Sequence, residues 1–232
     1  MNNILIRCAG YFFRGVFHFL LVLPLVVQAM EFEVRVPLVV MSGSVTGMEL
    51  RELKSVLEKK PGITTVVLKN SHGGDAATGY AVGEFIRERG LNTALSGYCI
   101  SSCSRMFLGG KERQYSDDLP LEKTFVGFHG NYGNDGSLLI ARMEMLKEWI
   151  VKYSDGKVNP ALLDQWVHIG NHHGYAAFYH RDARLLPGTN KVLLCQGTEE
   201  RGRRQEQCVK PELGDALENG VVTTWEVLKI KA

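Results

Sequence analysis

The feature that most constrains the fold is an alternation of short β-branched segments with amphipathic helical segments, separated by glycine-containing turns. A valine-rich segment at 32–40 and the run TTVVLK at 64–69 predict strands, and the amphipathic segment 46–60 between them predicts a helix capped by Thr46. A strand, helix, strand order requires right-handed crossovers. The sequence therefore predicts an α/β fold with a mostly parallel sheet.

The same alternation continues along the chain. A tight turn leads into a helix that ends at Gly90, and a third strand at 92–96, a short buried helix at 101–108 and a fourth strand at 124–129 follow. Asp135 or Ser137 is expected to open a longer helix that reaches Tyr153. The pair Asn159-Pro160 predicts the start of a further helix, since asparagine caps helices and proline suits their first turn.

The first 29 residues are predicted to be an export signal. Arg7 and Arg14 give residues 1–15 a positive charge, and residues 16–30 are uncharged and largely apolar. Ala29 ends a plausible cleavage site, so we expect a single mature domain at 30–232 in the periplasm or outside the cell. An uncleaved membrane anchor is the alternative, although the uncharged run is shorter than the ~20 residues of a spanning helix and contains Pro24.

The charge balance argues against binding to nucleic acids. The chain has 27 basic and 25 acidic residues, and loss of Arg7 and Arg14 with the signal leaves 25 of each. Proteins that bind nucleic acids usually carry a concentrated basic surface. No nucleic acid partner is therefore expected.

Four cysteines remain after the signal, an even number that suits an oxidising compartment. A charged segment separates Cys195 from Cys208 and reads as a loop between strands, which favours a disulfide between them and leaves Cys99 and Cys103 as the second pair. Closure of the longer loop would stabilise the folded protein by about 3 kcal/mol, because the unfolded chain loses conformational entropy. The cysteine spacings do not match those of zinc sites, so no metal site is predicted.

Three distinctive segments follow successive predicted strands. The turn SHGGD at 71–75 follows the second strand, the segment GYCISSC at 97–103 follows the third, and His129 ends the fourth. Ligands of parallel α/β sheets bind beyond the carboxyl ends of the strands. We therefore expect the three segments to meet at one edge of the sheet.

The residues of these segments suit acyl-transfer chemistry. Ser101 stands at a helix start as a nucleophile, and His129 is the candidate base for its proton. Backbone N–H groups of Gly73, Gly74 and Ser102 could stabilise an oxyanion, each by about 3–4 kcal/mol. Each residue taken singly has a plainer role, as a helix cap, a structural histidine or a tight turn. Only their combination favours catalysis.

Three stretches of this sequence resemble the proteolytic subunit of the Clp protease and its exported relatives in the crotonase-like superfamily. They are NSHGG at 70–74, the segment 79–113 and FVGFHG at 125–130. That family has an SPGG turn before a helix, a G-x-x-x-S turn that holds the nucleophile, and a later strand that ends in the catalytic histidine. His72 stands where the family usually has proline.

The resemblance implies the family's βαβ superhelical fold and serine peptidase activity. It assigns Ser101 as the nucleophile and His129 as the base, with oxyanion donors at Gly73, Gly74 and Ser102. It also implies a peptide or protein substrate and a possible homo-oligomer, and no cofactor is expected. The membrane would be involved only through an uncleaved signal.

The acid of a catalytic triad has no clear match in this sequence. Asp182, in the segment FYHRDARL, is the preferred candidate. The other acids that could fill the role are Asp135, Asp155, Asp164, Glu206 and Asp215. Without an acid to orient the imidazole, the site would be a serine–histidine dyad or an inactive scaffold.

Two functions are therefore compatible with the sequence. The first is an exported serine hydrolase that cleaves peptides. The second is a non-catalytic exported domain that uses the same cleft for binding or assembly.

Overall fold

The structure is a computed structural model that describes residues 29–185, 191–197 and 208–230. Residues 1–28 of the predicted signal, and Glu206 in the predicted loop between Cys195 and Cys208, lie outside the described residues. Among the described residues, no helix is long and apolar enough to cross a membrane.

The described helices and strands are β1 (Glu31–Arg35), β2 (Leu38–Ser42), α1 (Glu49–Lys59), β3 (Thr65–Ser71), α2 (Ala76–Glu88), β4 (Asn92–Ile100), α3 (Ser102–Leu108), β5 (Arg113–Ser116), β6 (Phe125–Phe128), α4 (Met143–Tyr153), α5 (Pro160–Val167), β7 (Tyr175–Tyr179), β8 (Val192–Cys195) and β9 (Val227–Leu228). Short 3-10 turns at Leu121–Lys123 and Ile140–Arg142 precede β6 and α4. The helices and strands from β2 to α5 follow the predicted succession, except that β5 was not predicted and that β1, β7, β8 and β9 are additional strands.

The described strands form one nine-stranded sheet in the order β1-β2-β3-β4-β6-β7-β8, with β5 pairing with β4 and β9 with β5. The pairs β2–β3, β3–β4, β4–β6, β4–β5 and β5–β9 are parallel. Strands β1, β7 and β8 pair antiparallel. The predicted α/β class with a mostly parallel sheet is confirmed.

On the side away from β3, strand β4 pairs with two different strands along its length. Its first half pairs with β5, and its second half, Tyr98–Ile100, pairs with β6. Gly97 lies between the halves with φ +74°, and a side chain there would collide with the Asn70 side chain. The predicted turn at Gly97 is therefore a kink inside one long strand, which carries the chain on to the start of α3.

Two predicted boundaries differ from the structure near the first helix. The segment 32–40 is not one strand but the hairpin of β1 and β2, and α1 begins at Glu49 rather than after a Thr46 cap. The Glu49 carboxylate instead accepts hydrogen bonds from the N–H groups of Thr46 (2.8 Å) and Gly47 (2.9 Å). Burial acts to raise the pKa of Glu49, but these hydrogen bonds outweigh it and hold the pKa below its usual value.

The later helices test the capping signals further. Asn159 caps α5, since its side chain accepts hydrogen bonds from the N–H groups of Ala161 and Leu162, as predicted. Helix α4 begins at Met143, whereas a start at Asp135 or Ser137 was expected. The chain between β6 and α4 is thereby left as a long loop beside the carboxyl edge of the sheet.

The two faces of the sheet are covered differently. Val66 and Leu68 belong to the main core, which includes residues of all five helices, whereas Val67 lies on the opposite face with Leu228 and Ile230 of the C-terminal segment. The alternation along β3 follows from the pleat of a strand. The helical layer and the carboxyl edge of the strands together enclose the site described next.

Candidate active site

The parallel strands β3, β4 and β6 end at one edge of the sheet. Ser71 is opposite Cys99, and Ile100 is opposite Gly127. The Ser101 N–H donates to the Gly127 carbonyl at 3.1 Å, so the chain after Ile100 is still held against β6. His129 follows two residues beyond Gly127. The structure therefore brings the three segments to the same edge.

Ser101 occupies a strained turn between β4 and α3. Its backbone has φ +60° and ψ −126°, a conformation that is rare for a residue with a side chain and costs roughly 1–3 kcal/mol. Its hydroxyl does not cap α3 and makes no hydrogen bond with any described residue. The plainer role of a helix cap therefore does not apply, and the turn resembles the sharp strand-to-helix turn that exposes a nucleophile.

His129 is buried, with 8% of its surface exposed. Its Nδ1 lies 2.6 Å from the carbonyl oxygen of Gly130. Because a carbonyl can only accept, we assign the hydrogen to Nδ1, which leaves Nε2 as the basic nitrogen of the neutral ring. Among the described hydrogen bonds, none joins the Ser101 hydroxyl to His129.

The backbone amides around Ser101 differ in their availability. The Gly73 N–H donates to the Ser71 hydroxyl at 3.2 Å, whereas the described backbone hydrogen bonds do not use the N–H of Gly74. Ser102 is the first residue of α3, and a first-turn N–H has no acceptor within its own helix. Gly74 and Ser102 are thus the better placed of the three predicted oxyanion donors.

Gly73 packs directly against the serine turn. A Cβ on this residue would lie 2.6 Å from the Ile100 carbonyl oxygen, 2.7 Å from the Ser101 Cβ and 2.9 Å from the Ser102 nitrogen. With φ +87°, the residue also adopts a conformation that favours glycine. The close approach of the two turns therefore depends on the absence of a side chain at this position.

Both predicted disulfide pairs are within bonding distance. Cys99 and Cys103 are joined at 2.08 Å and are fully buried, and Cys195 and Cys208 are joined at 2.06 Å. The first bond connects the end of β4 to the first turn of α3. It therefore brackets Ser101 and restrains the turn that carries it.

Asp182 is not brought to His129. Strand β7 runs antiparallel to β6, with Ala176 opposite Phe128 and Tyr179 opposite Phe125. The chain after Tyr179 therefore lies near the start of β6, about 13 Å from its carboxyl end. The Asp182 N–H instead donates to His180 Nδ1 at 3.1 Å, and Asp182 does not line the cavity described below.

Most of the other acids considered for the triad are engaged elsewhere. Asp155 pairs with Arg113 and Arg87, Asp164 pairs with Lys147, and Asp215 accepts backbone hydrogen bonds within its own turn. Asp135 lines the cavity, and the Ser137 hydroxyl, which donates to it at 2.6 Å, lowers its pKa. The hydrogen bond described for Nδ1 of His129 is the one to the carbonyl oxygen of Gly130.

A cavity of about 980 Å³ opens at this edge of the sheet. Ser101, His129 and Gly74 line it, and so does the loop at 130–136 that follows β6. The cavity is also lined by residues that the sequence patterns did not single out for the site, namely His72, Arg105, Asn131, Tyr132, His172 and His173. Among the described residues, no group of three or more His, Cys, Asp or Glu side chains is arranged to hold a metal ion.

Arg105 is the most informative of these additional residues. It lies on α3, four residues after Ser101, and only 2% of its surface is exposed. The sequence carried a signal for it, since it is the one charged residue in the apolar segment CISSCSRMFLGG. A lone charge in a predicted buried helix indicates a polar site.

Comparison with family models finds no match, and comparison with curated proteins finds none either. Among solved structures, a variant of ClpP1 from Listeria monocytogenes is similar at 15% identity and a TM-score of 0.40, over 51% of this chain and 72% of that chain. A variant of the 1510-N membrane-bound stomatin-specific protease is similar at 11% identity and a TM-score of 0.45, over 79% and 75% of the two chains.

An enoyl-CoA hydratase/isomerase from Marinobacter aquaeolei is similar at 14% identity and a TM-score of 0.39, over 61% of this chain and 63% of that chain. At these identities and TM-scores the similarities carry no argument about this chain. The function is therefore argued from the site.

Proposed function

We propose that this protein is a serine hydrolase in which Ser101 is the nucleophile and His129 is the general base. The observation that supports the proposal best is the backbone of Ser101, which holds a strained turn without using its hydroxyl as a helix cap. Strain without a structural purpose is typical of functional positions. His129 lines the same cavity, and its Nε2 is basic in the assigned tautomer.

The reaction would proceed through an acyl-enzyme. The Ser101 oxygen forms a bond to the substrate carbonyl carbon while His129 Nε2 accepts the hydroxyl proton. The amides of Gly74 and Ser102 stabilise the oxyanion, and the proton on His129 passes to the leaving group as its bond to carbon breaks. Water, deprotonated by His129, then hydrolyses the ester and regenerates the serine.

The Gly130 carbonyl, 2.6 Å from Nδ1, would help to orient the imidazole of His129. The Ser101–His129 hydrogen bond would form only when substrate is bound, as catalytic hydrogen bonds often tighten in the complex. Peptides or proteins are the proposed substrates, and a homo-oligomer is a further prediction from the sequence resemblance.

A fluorophosphonate probe tests the nucleophile, because it forms a covalent bond with an activated serine. The oxidised protein is expected to be labelled, the Ser101→Ala variant not at all, and the His129→Ala variant at least about 1,000-fold more slowly. Ser137→Ala is the matched control, since that hydroxyl lies in the adjacent loop and contacts only Asp135. Labelling that survives Ser101→Ala would move the nucleophile to Ser102 or Ser104.

A non-catalytic binding module is the second candidate function. The position of Asp182 favours it, because the preferred triad acid lies away from His129. A folded, oxidised protein that is not labelled by the probe would support this alternative and overturn the hydrolase.

We also propose that the protein is exported and begins at Met30 after cleavage. The two disulfides support an oxidising compartment, since such bonds are rare in the cytosol. N-terminal sequencing of the protein recovered from its native host is expected to start at Met30. Recovery of an intact residue 1 would instead indicate an uncleaved signal.

A further inference from the structure

The buried charge of Arg105 has no counter-ion among the described residues. Only 2% of the residue is exposed, and none of the described carboxylates forms an ion pair with its guanidinium. Arg113, which is buried to the same degree, pairs with Asp155 at 2.9 Å and donates to three backbone carbonyls. Arg105 thus lacks the compensation that the other buried arginine has.

The contacts that Arg105 does make hold it in place and leave donors unused. Its Nη2 donates to the Asn131 side-chain oxygen at 2.8 Å, and its guanidinium lies over the Tyr80 ring at 4.8 Å. The Asn131 amide nitrogen in turn donates to the Tyr80 hydroxyl at 3.1 Å. The Nε of Arg105 is buried and has no partner among the described residues.

A buried charge without a partner is costly, so it is expected where a ligand supplies the missing partner. Arg105 lines the cavity that also contains Ser101 and His129. A guanidinium presents its donors as a planar fork that matches the two oxygens of a carboxylate. Asp135, the one carboxylate in the cavity lining, is exposed and accepts hydrogen bonds from Ser137 instead.

We propose that Arg105 binds a carboxylate of the substrate, so that the site acts on acyl compounds with an acidic group close to the scissile bond. This inference rests on the proposed hydrolase function. Arg105 lies in the first turns of the helix that follows Ser101, and both residues line the same cavity, so the carboxylate would bind close to the carbonyl attacked by Ser101. The carboxylate comes either from an acidic side chain or from the free C-terminus of a peptide.

Binding can be measured without catalysis by titrating three tripeptides into the Ser101→Ala variant in a calorimeter. The first, acetyl-Ala-Glu-Ala-amide, has only a side-chain carboxylate, and the second, acetyl-Ala-Gln-Ala, has only a terminal one. The third, acetyl-Ala-Gln-Ala-amide, has none. We expect at least one acidic peptide to bind roughly 10- to 100-fold more tightly than the neutral peptide, and the stronger of the two identifies the source of the carboxylate.

Two variants test whether Arg105 is responsible. Arg105→Gln is expected to abolish the difference between acidic and neutral peptides. Asn131→Asp should do the same without removing Arg105, because it places a carboxylate where Nη2 now donates at 2.8 Å. Asn92→Asp is the matched control, since it makes the same chemical change outside the cavity lining and should leave the preference intact.

The outcomes separate this inference from the proposed function. Fluorophosphonate labelling of Ser101 with equal affinity for all three peptides would overturn the carboxylate site and leave the hydrolase. Arg105-dependent binding without any labelling would overturn the hydrolase and make the cavity a carboxylate-binding module. A preference for acidic peptides that survives both Arg105→Gln and Asn131→Asp would show that another residue binds the carboxylate.

Discussion

Replacing Gly73 with alanine is expected to slow fluorophosphonate labelling of Ser101 by at least about 100-fold. The new methyl group would lie 2.6 Å from the Ile100 carbonyl oxygen and 2.7 Å from the Ser101 Cβ. All of these atoms belong to the backbone or to the nucleophile itself, so none can move aside by a side-chain rotation. The turns at 71–75 and 100–102 must separate, which displaces Ser101 from the oxyanion donor at Gly74.

Gly90→Ala is the matched control for this experiment. Gly90 also has positive φ, at +66°, but a Cβ there would meet nothing within 4 Å. The Gly90→Ala variant therefore also places alanine at a positive φ, but without a collision. Labelling of a folded Gly73→Ala protein at the rate of the Gly90→Ala protein would show that the close approach of the two turns is not needed for activity.

Replacing Arg113 with methionine is expected to lower the free energy of unfolding by about 3–5 kcal/mol, measured by urea denaturation at neutral pH. The fully buried guanidinium donates to the carbonyls of Gly110, Gly220 and Val221 and pairs with Asp155. Methionine fills a similar volume but has no donor. The Gly220 and Val221 carbonyls would lose this donor and Asp155 would lose one of its two arginine partners, whereas the Gly110 carbonyl keeps a hydrogen bond from Arg87.

The loss of stability caused by Arg113→Met should become smaller at low pH. Burial acts to raise the pKa of Asp155, but Arg113 and Arg87 outweigh it, so the pKa is lower in the folded state. The ionised Asp155 therefore contributes its full stabilisation at pH values above the pKa of an unfolded aspartate, near 3.9. This contribution is lost as the pH falls through the lower pKa that Asp155 has in the folded state. The difference between the Arg113→Met variant and the unmodified protein should narrow below about pH 4.

Arg35→Met is the matched control for Arg113→Met. Arg35 is exposed, and its ion pair among the described residues is with Glu33, at 2.6 Å, so its loss should leave the urea midpoint unchanged within error. Equal effects of the two substitutions would show that the buried network around Arg113 does not stabilise the fold.

The capping residues predicted the start of a helix correctly only where the cap depends on one residue and its immediate neighbours in the chain. Asn159 followed by proline predicted the start of α5 correctly, because the capping side chain and the fixed φ of proline act locally. Thr46 and Asp135 are equally good capping residues by type, yet neither begins a helix. In α1 the buried Glu49 reaches back to Thr46 and Gly47, an arrangement that depends on packing around it.

The sequence by itself determined the α/β class, the succession of strands and helices from β2 to α5 apart from β5, the cysteine pairing and the edge to which Ser101 and His129 belong. These depend on periodicity and on parallel crossovers, which short segments encode. Only the tertiary structure decided that Asp182 follows the end of β7 away from His129 and that Arg105 lines the cavity with no counter-ion among the residues the structure describes. The direction of an added strand and the partners of a buried charge depend on contacts between residues far apart in the chain, which no local pattern records.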